Sequence, residues 1–252
     1  MAKTDGVISF SGSIGNITYV QTRNGSYTRR RTGPSKDKIM NSPNYARLRD
    51  HISEFRQATQ ANALLRGHLL PFIGRCKDAR LARRLNTVIL EAVRLDKVNP
   101  MGQRNILDGE LLLLEHFEFN SGAGLSGVLH TDIAGSINRA TGEVSVSVTS
   151  FVPETALKYM PGATHVRISI AAAAVNFTTG EMQKQFSDGN YLPVGKQLTG
   201  PLTLSVSLPA GLTDPVLLLL KLQYFQEVNG DMLERFDASC NTCTILKVDT
   251  GV

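Results

Sequence analysis

Val144-Ser145-Val146-Ser147-Val148-Thr149-Ser150 alternates an apolar residue with a hydroxyl residue at every step. A period of two puts all the valines on one face of a strand and all the hydroxyls on the other. Leu202-Thr203-Leu204-Ser205-Val206-Ser207-Leu208 repeats the pattern. From Phe117 onward the same period gives six more candidates, at 126–131, 165–177, 182–187, 216–227, 232–236 and 242–248. Turn signals separate them at Ala140-Thr141-Gly142, Thr178-Thr179-Gly180, Ser187-Asp188-Gly189, 211–215 and Asn229-Gly230. This spacing predicts an antiparallel β-sandwich over 119–252, with immunoglobulin-like or jelly-roll connectivity. In both quoted strands the polar face is wholly Ser and Thr. Soluble monomers usually guard exposed sheet surfaces and edges with Lys, Glu or inward charge. Any single such strand can simply face water, but two of them predict that some sheet surface or edge is covered.

Upstream the period changes. Ser42-Pro43 fits a capped helix start, and Tyr45, Leu48, Ile52, Phe55, Asn62 or Ala63, and Leu65 or Leu69 recur at steps of three and four, which predicts a helix ending near Leu70, before Pro71 and Gly74. A second helix opens at Asp78 with Leu81, Leu85, Val88, Ala92 and Leu95 as its stripe and stops by Asn99-Pro100. The short connection between the two predicts an antiparallel α-hairpin within a helical region, 35–118. A third segment, 104–116, contains Leu111 to Leu114, too continuously apolar for a surface helix or a half-exposed strand.

Residues 1–34 read as a β-hairpin arm. Asn24-Gly25 is the hairpin signal, and with these as loop residues Tyr19 faces Arg30, Val20 faces Arg29 and Thr22 faces Tyr27. One face carries Tyr19, Gln21, Arg23, Thr28 and Arg30, the other Thr18, Val20, Tyr27, Arg29 and Arg31. Neither is apolar. Such a hairpin is marginal alone in water and gains order from a neighbouring surface, either another subunit or a polyanion. The fold class predicted for the whole chain is therefore α+β: arm, α-hairpin, sandwich.

Composition narrows the function. With 42% hydrophobic and 19% charged residues in 252, the chain is neither a disordered tail nor a polytopic membrane protein. Its longest uncharged stretch, 197–213, holds Pro201 and Pro209 and reads as strand, turn and strand, so no membrane partner is expected. Three cysteines do not make a disulfide framework, and no apolar run of signal-peptide length follows the N-terminus, so the cytoplasm is the expected compartment, export or release by another route being the alternative. The net charge of +5 is uneven. Residues 1–118 hold 19 Lys+Arg against 11 Asp+Glu, and residues 119–252 hold 8 against 11. Fourteen of the 19 are arginine, a bias toward bidentate contacts with carboxylate or phosphate.

Chemical motifs are few. Cys240-Asn241-Thr242-Cys243 has C-x-x-C spacing, but the other cysteine is Cys76 and the five histidines have no H-x₃-H pairing, so neither a zinc site nor a redox dithiol is expected. Gly12-Ser13-Ile14-Gly15 resembles the GxxG loop of KH modules but joins strands, where a tight turn explains the glycines. Phosphate-cradle, zinc-protease and hydrolase signatures do not occur. No catalytic residue, cofactor, metal or small-molecule substrate is therefore assigned. The residues assigned to assembly or polyanion binding are Tyr19, Arg23, Tyr27, Arg29, Arg30, Arg31, Arg47, Arg80, Arg83 and Arg84. The plainer reading of Arg29-Arg30-Arg31 is a solvated charge run.

Gly6-x-Ile8-Ser9-Phe10-Ser11-Gly12-Ser13-Ile14-Gly15-Asn16-Ile17-Thr18-Tyr19, a short basic strand, Asn41-Ser42-Pro43, an Arg-rich helix and the block from Gly102-Gln103-Arg104-Asn105 to Asp108-Gly109-Glu110 resemble a protein family common in Bacteroidota genomes, with no established activity. The resemblance covers mainly the first half and implies a non-secreted bacterial protein. The expectation is a non-enzymatic structural subunit whose copies self-assemble into a filament, tube or shell, arm to sandwich. The alternative is a nucleic-acid-binding protein using the Arg-rich half.

Overall fold

The computed structural model describes residues 2–3, 11–22, 25–30, 33–235 and 239–251. The chain forms two compact units, Met1–Asp50 and His51–Val252.

The first unit holds a four-stranded antiparallel sheet of β1 (Ala2–Lys3), β2 (Gly12–Ile14), β3 (Ile17–Thr22) and β4 (Gly25–Arg30), in the order β1-β4-β3-β2. Between β2 and β3, the pairing of Ile14 with Ile17 leaves a two-residue turn, and Gly15 supplies its positive φ of 56°. The pairing of β3 with β4 differs from the expected register. Tyr19 lies opposite Thr28, Val20 opposite Tyr27 and Thr22 opposite Gly25. Gly25 is thus the first paired residue of β4 and not a loop residue; Arg23 and Asn24 lie outside the described residues. The slip is by two residues, an even number, so each described side chain keeps the face read from the sequence. After the sheet come α1 (Lys36–Asn41), capped by Ser35 Oγ accepting from Lys38 N at 3.2 Å, and a 3-10 turn, Pro43–Tyr45.

The second unit is built on a central antiparallel sheet. Its order is β8 (Met182–Pro193), β7 (His165–Val175), β10 (Val216–Val228), with β11 (Asp231–Glu234) and β12 (Thr242–Asp249) both pairing with β10, at successive stretches of it. One face carries a second sheet, β5 (Ile133–Asn138), β6 (Glu143–Val148) and β9 (Leu202–Ser207), in the order β5-β6-β9. Val144, Val146, Val148 and Val206 of this sheet share a core with Ile168, Ile170, Leu218 and Leu220 of the central one. The other face packs under α2 (Ala46–Ile73) and α3 (Leu81–Arg94), the antiparallel helix pair, whose Leu65, Leu69, Leu85 and Ile89 meet Ala171, Ala173, Leu217 and Leu219. Burial on both faces explains why Ala171 to Ala174 and Val216 to Leu220 run apolar without alternation. The β5-β6-β9 strands, buried on one face, keep the alternation.

Several expected elements shift. Residues 126–131 are not a strand: α4 (Leu125–Val128) occupies their start, and Leu129 makes an isolated bridge to Leu157. The strand is β5 instead, hidden in the sequence by Gly135. An added Cβ there would lie 2.8 Å from Leu218 Cδ2 and 3.2 Å from Leu246 Cδ2, so the two sheets approach too closely for a side chain. β8 runs through the turn signal at Asp188-Gly189, which marks an irregularity in its pairing with β7 near Arg167 and Ser169; a Cβ on Gly189 would sit 2.6 Å from Ile168 O. α5 (Pro153–Ala156) ends the region after β6. α2 continues past Pro71 to Ile73, and Gly74, with φ 56°, closes it through N–H to Leu70 O. Its buried line is Glu54, Ala58, Ala61, Asn62, Leu65, Leu69 and Phe72, while Leu48, Ile52 and Phe55 stay exposed. Glu54 is tolerated there because Gly102 N donates to it at 3.2 Å and Arg104 lies 3.7 Å away. The Leu111–Leu114 segment is a 3-10 turn, which buries Leu111 and Leu114 and exposes the two between.

Candidate functional site

None of the described side chains in the first unit is buried. One face of its sheet carries Ile14, Ile17, Tyr19, Gln21, Thr28 and Arg30, the other Ser13, Thr18, Val20, Tyr27 and Arg29. Ile14 is 67% exposed and Ile17 44%. Tyr19 and Tyr27 are half-buried, and Arg29 and Arg30 are exposed. Arg23 and Arg31 lie outside the described residues. The unit spanning 1–50 carries 9 Lys+Arg against 3 Asp+Glu, whereas 51–252 carries 18 against 19. The basic excess that the sequence assigns to the first 118 residues therefore belongs mainly to this unit.

The helical arginines divide by partner. Arg47, Arg80 and Arg83 are exposed. Arg84 is committed internally: its guanidinium donates to Asp78 Oδ2 through Nε at 3.1 Å and Nη2 at 2.5 Å, and to Glu118 O at 2.8 Å, and it lies 5.1 Å from the Phe117 ring. It ties α3 to the 116–119 segment, which runs beside β12 through His116 N to Ile245 O and Phe119 N to Cys243 O.

The outer face of β5-β6-β9 presents a near charge-free surface. Ser136, Ser145 and Ser205 form one rung, and Ala134, Ser147 and Thr203 another. The rung of Asn138, Glu143 and Ser207 adds one carboxylate. Asp132, exposed, immediately precedes β5.

The thiols are sequestered. Cys76, Cys240 and Cys243 are all buried and free. Burial pushes Cys76 up to about 12, against the opposing charge of Lys221, and holds Cys243 well above its ordinary value. Raised in this way, Cys76 and Cys243 are poor nucleophiles. Among the described residues no group of three His, Cys, Asp or Glu is suited to hold a metal ion. Burial raises the Glu118 carboxyl, although Leu125 N donates to it at 2.8 Å, and Glu118 lines a cleft. His116, His130 and Asp132 share that cleft, of about 720 Å³.

The central sheet also holds a polar block missed in the sequence. Lys221 is opposite Ser169 and Cys243, and Gln223 is opposite Arg167, all on the helix-facing side. Lys221 is only 8% exposed, and its Nζ lies 4.6 Å from the Phe72 ring. Gln223 donates to Glu234, and Arg167 stacks near Tyr191 and Phe225. The signal for this block was the break that Lys221 and Gln223 make in the apolar run of β10.

No protein-family model matches this sequence, and no curated protein does. A solved structure, that of Spo0M, a sporulation control protein from Bacillus subtilis, is similar over 44% of this chain and 48% of its own, with a TM-score of 0.20 and 13% identity. The chain thus spans about half the length of that protein. No helix among the described residues is long and apolar enough to cross a membrane.

Proposed function

We propose that this chain is a non-enzymatic structural subunit whose copies assemble into a filament, tube or shell, the N-terminal unit of one engaging the sandwich of the next. The observation that carries this reading is a four-stranded sheet whose described side chains are all at least partly exposed, Ile14 and Ile17 among them. A sheet needs a covered apolar face to be stable in water. The receiving surface is the outer face of β5-β6-β9, where hydroxyls accept from arginine, with Asp132 and Glu143 at its margins. A basic patch and its receiving face on the same chain make a head-to-tail contact, which grows into rings or open polymers.

The test is negative-stain electron microscopy and light scattering over a concentration series. Wild type should form ordered oligomers, and deletion of residues 1–34, which leaves the Ser35 cap, should abolish them while the second unit still melts cooperatively. Uniform wild-type monomers at every concentration would end this reading.

A further inference from the structure

We infer that the groove between α2 and α3 is a binding site for single-stranded nucleic acid. The groove has a volume of about 850 Å³ and lies wholly within the second unit. Its α2 wall is the row Phe55, Thr59, Asn62 and Arg66, at steps of three and four, and its α3 wall includes Arg83, Leu90 and Arg94. Three features point to the ligand. First, Phe55 is 54% exposed and is the aromatic side chain of the groove's α2 wall. An open aromatic face is a platform on which any base stacks. Second, the groove holds three arginines against Glu91 alone, and neither Arg83 nor Arg94 has an ion-pair or side-chain hydrogen-bond partner among the described residues. Third, Asn62 is held rigid by donating to Ala82 O at 2.8 Å and accepting from Arg66 Nε at 2.9 Å, so the guanidinium of Arg66 is aimed and not adrift.

Spacing agrees with this ligand. Arg83 and Arg94 are eleven residues apart on α3, about 16 Å along its axis, the reach of roughly five stacked nucleotides at about 3.4 Å each. A duplex offers no unstacked base to Phe55. An acidic peptide would use the arginines but has no need of the ring.

This inference stands apart from assembly through the N-terminal sheet, and its test keeps the two separate. Full-length protein is titrated against a fluorescently labelled twelve-residue oligothymidylate by anisotropy, at several salt concentrations, with a duplex of equal length and polyglutamate as competitors. With three phosphates neutralised, the slope of log affinity against log salt should be about −2. Arg83→Ala and Arg94→Ala should each make it shallower by about 0.7. Phe55→Ala should weaken binding about 5- to 150-fold with the slope unchanged, and Phe55→Tyr should restore it. The pair Arg29→Ala, Arg30→Ala should leave the Phe55 effect intact. Absence of binding at low salt, indifference to Phe55→Ala, or equal competition by polyglutamate or the duplex would each overturn the inference.

Discussion

Asp78→Ala should destabilise the second unit by about 2–4 kcal/mol. The carboxylate, 17% exposed, accepts from Arg80 N at 2.6 Å, from Ser121 N at 2.9 Å and from two nitrogens of Arg84. It therefore joins the start of α3, the next turn of that helix and the loop after residue 120. Arg80 and Ser121 are exposed, so their N–H groups rehydrate when the acceptor is lost. The cost concentrates in Arg84, left with Glu118 O and the Phe117 ring. Breaking a fully buried ion pair costs about 3–5 kcal/mol and an exposed one up to about 1, and this pair is mostly buried. Asp78→Asn keeps the shape and loses the charge, at about 1–2 kcal/mol. Urea unfolding followed by circular dichroism measures both, provided the slope m is unchanged. Acidity adds an independent check. Burial alone would raise the Asp78 carboxyl, but the hydrogen bonds from Ser121, Arg84 and Arg80 outweigh it and hold it below the usual range. A depressed folded value means that the stabilisation is present above the unfolded pKa, near 3.8, and is lost as pH falls through the folded one. The gap between wild type and Asp78→Asn should narrow as pH drops below 4. A loss under 0.5 kcal/mol for Asp78→Ala, or a gap that stays constant down to pH 2, would refute the reasoning.

Gly135→Val should cost about 1–3 kcal/mol, because its side chain has to displace Leu218 and Leu246 where the sheets meet; thermal melting should show a drop of several degrees, and an unchanged midpoint would mean the sheets are further apart than described. Asp96 is buried and accepts from Val98 N, Asn99 N, Asn99 Nδ2 and Asn105 N, which outweigh the effect of burial and bring it down to about 2 from 3.8. It should contribute about 2 kcal/mol above pH 4 that falls away as pH drops from 4 and is lost as pH passes through about 2, so Asp96→Asn should flatten that part of the stability profile; a parallel profile would count against it.

The sandwich and the helix pair were legible because their strands and helices bury one face or stripe, which leaves a period in the sequence. What was not legible follows from contacts at long range. Gly135 reads as a strand breaker until Leu218 is seen above it. Phe55 reads as a core residue because it falls on the same helical steps as Leu65 and Leu69, yet the helix layer covers only the later turns. Pro71 signals a helix end, but the helix gives up one hydrogen bond and continues to Ile73, where Gly74 closes it. Of the residues assigned to assembly or polyanion binding, the arginine run at 29–31 and Arg83 stand out in the sequence by charge alone, and charge does not distinguish Arg83, open to a groove, from Arg84, spent on Asp78.

The two proposed contacts draw on different arginines, and that separates them physically. Assembly through the first unit combines apolar cover for Ile14 and Ile17 with arginine bonds to hydroxyls and to the few carboxylates near β5. Apolar burial is insensitive to moderate salt or strengthened by it, so such an assembly keeps much of its affinity as ionic strength rises. A nucleic acid on Arg66, Arg83 and Arg94 releases counterions and weakens with each increment of salt. The first unit also concentrates like charges in a sheet without a core, and self-repulsion there opposes its own folding. Covering that sheet buries Ile14 and Ile17 and brings its arginines near Asp132 and Glu143, so order in the N-terminal unit and contact between copies should appear at the same protein concentration.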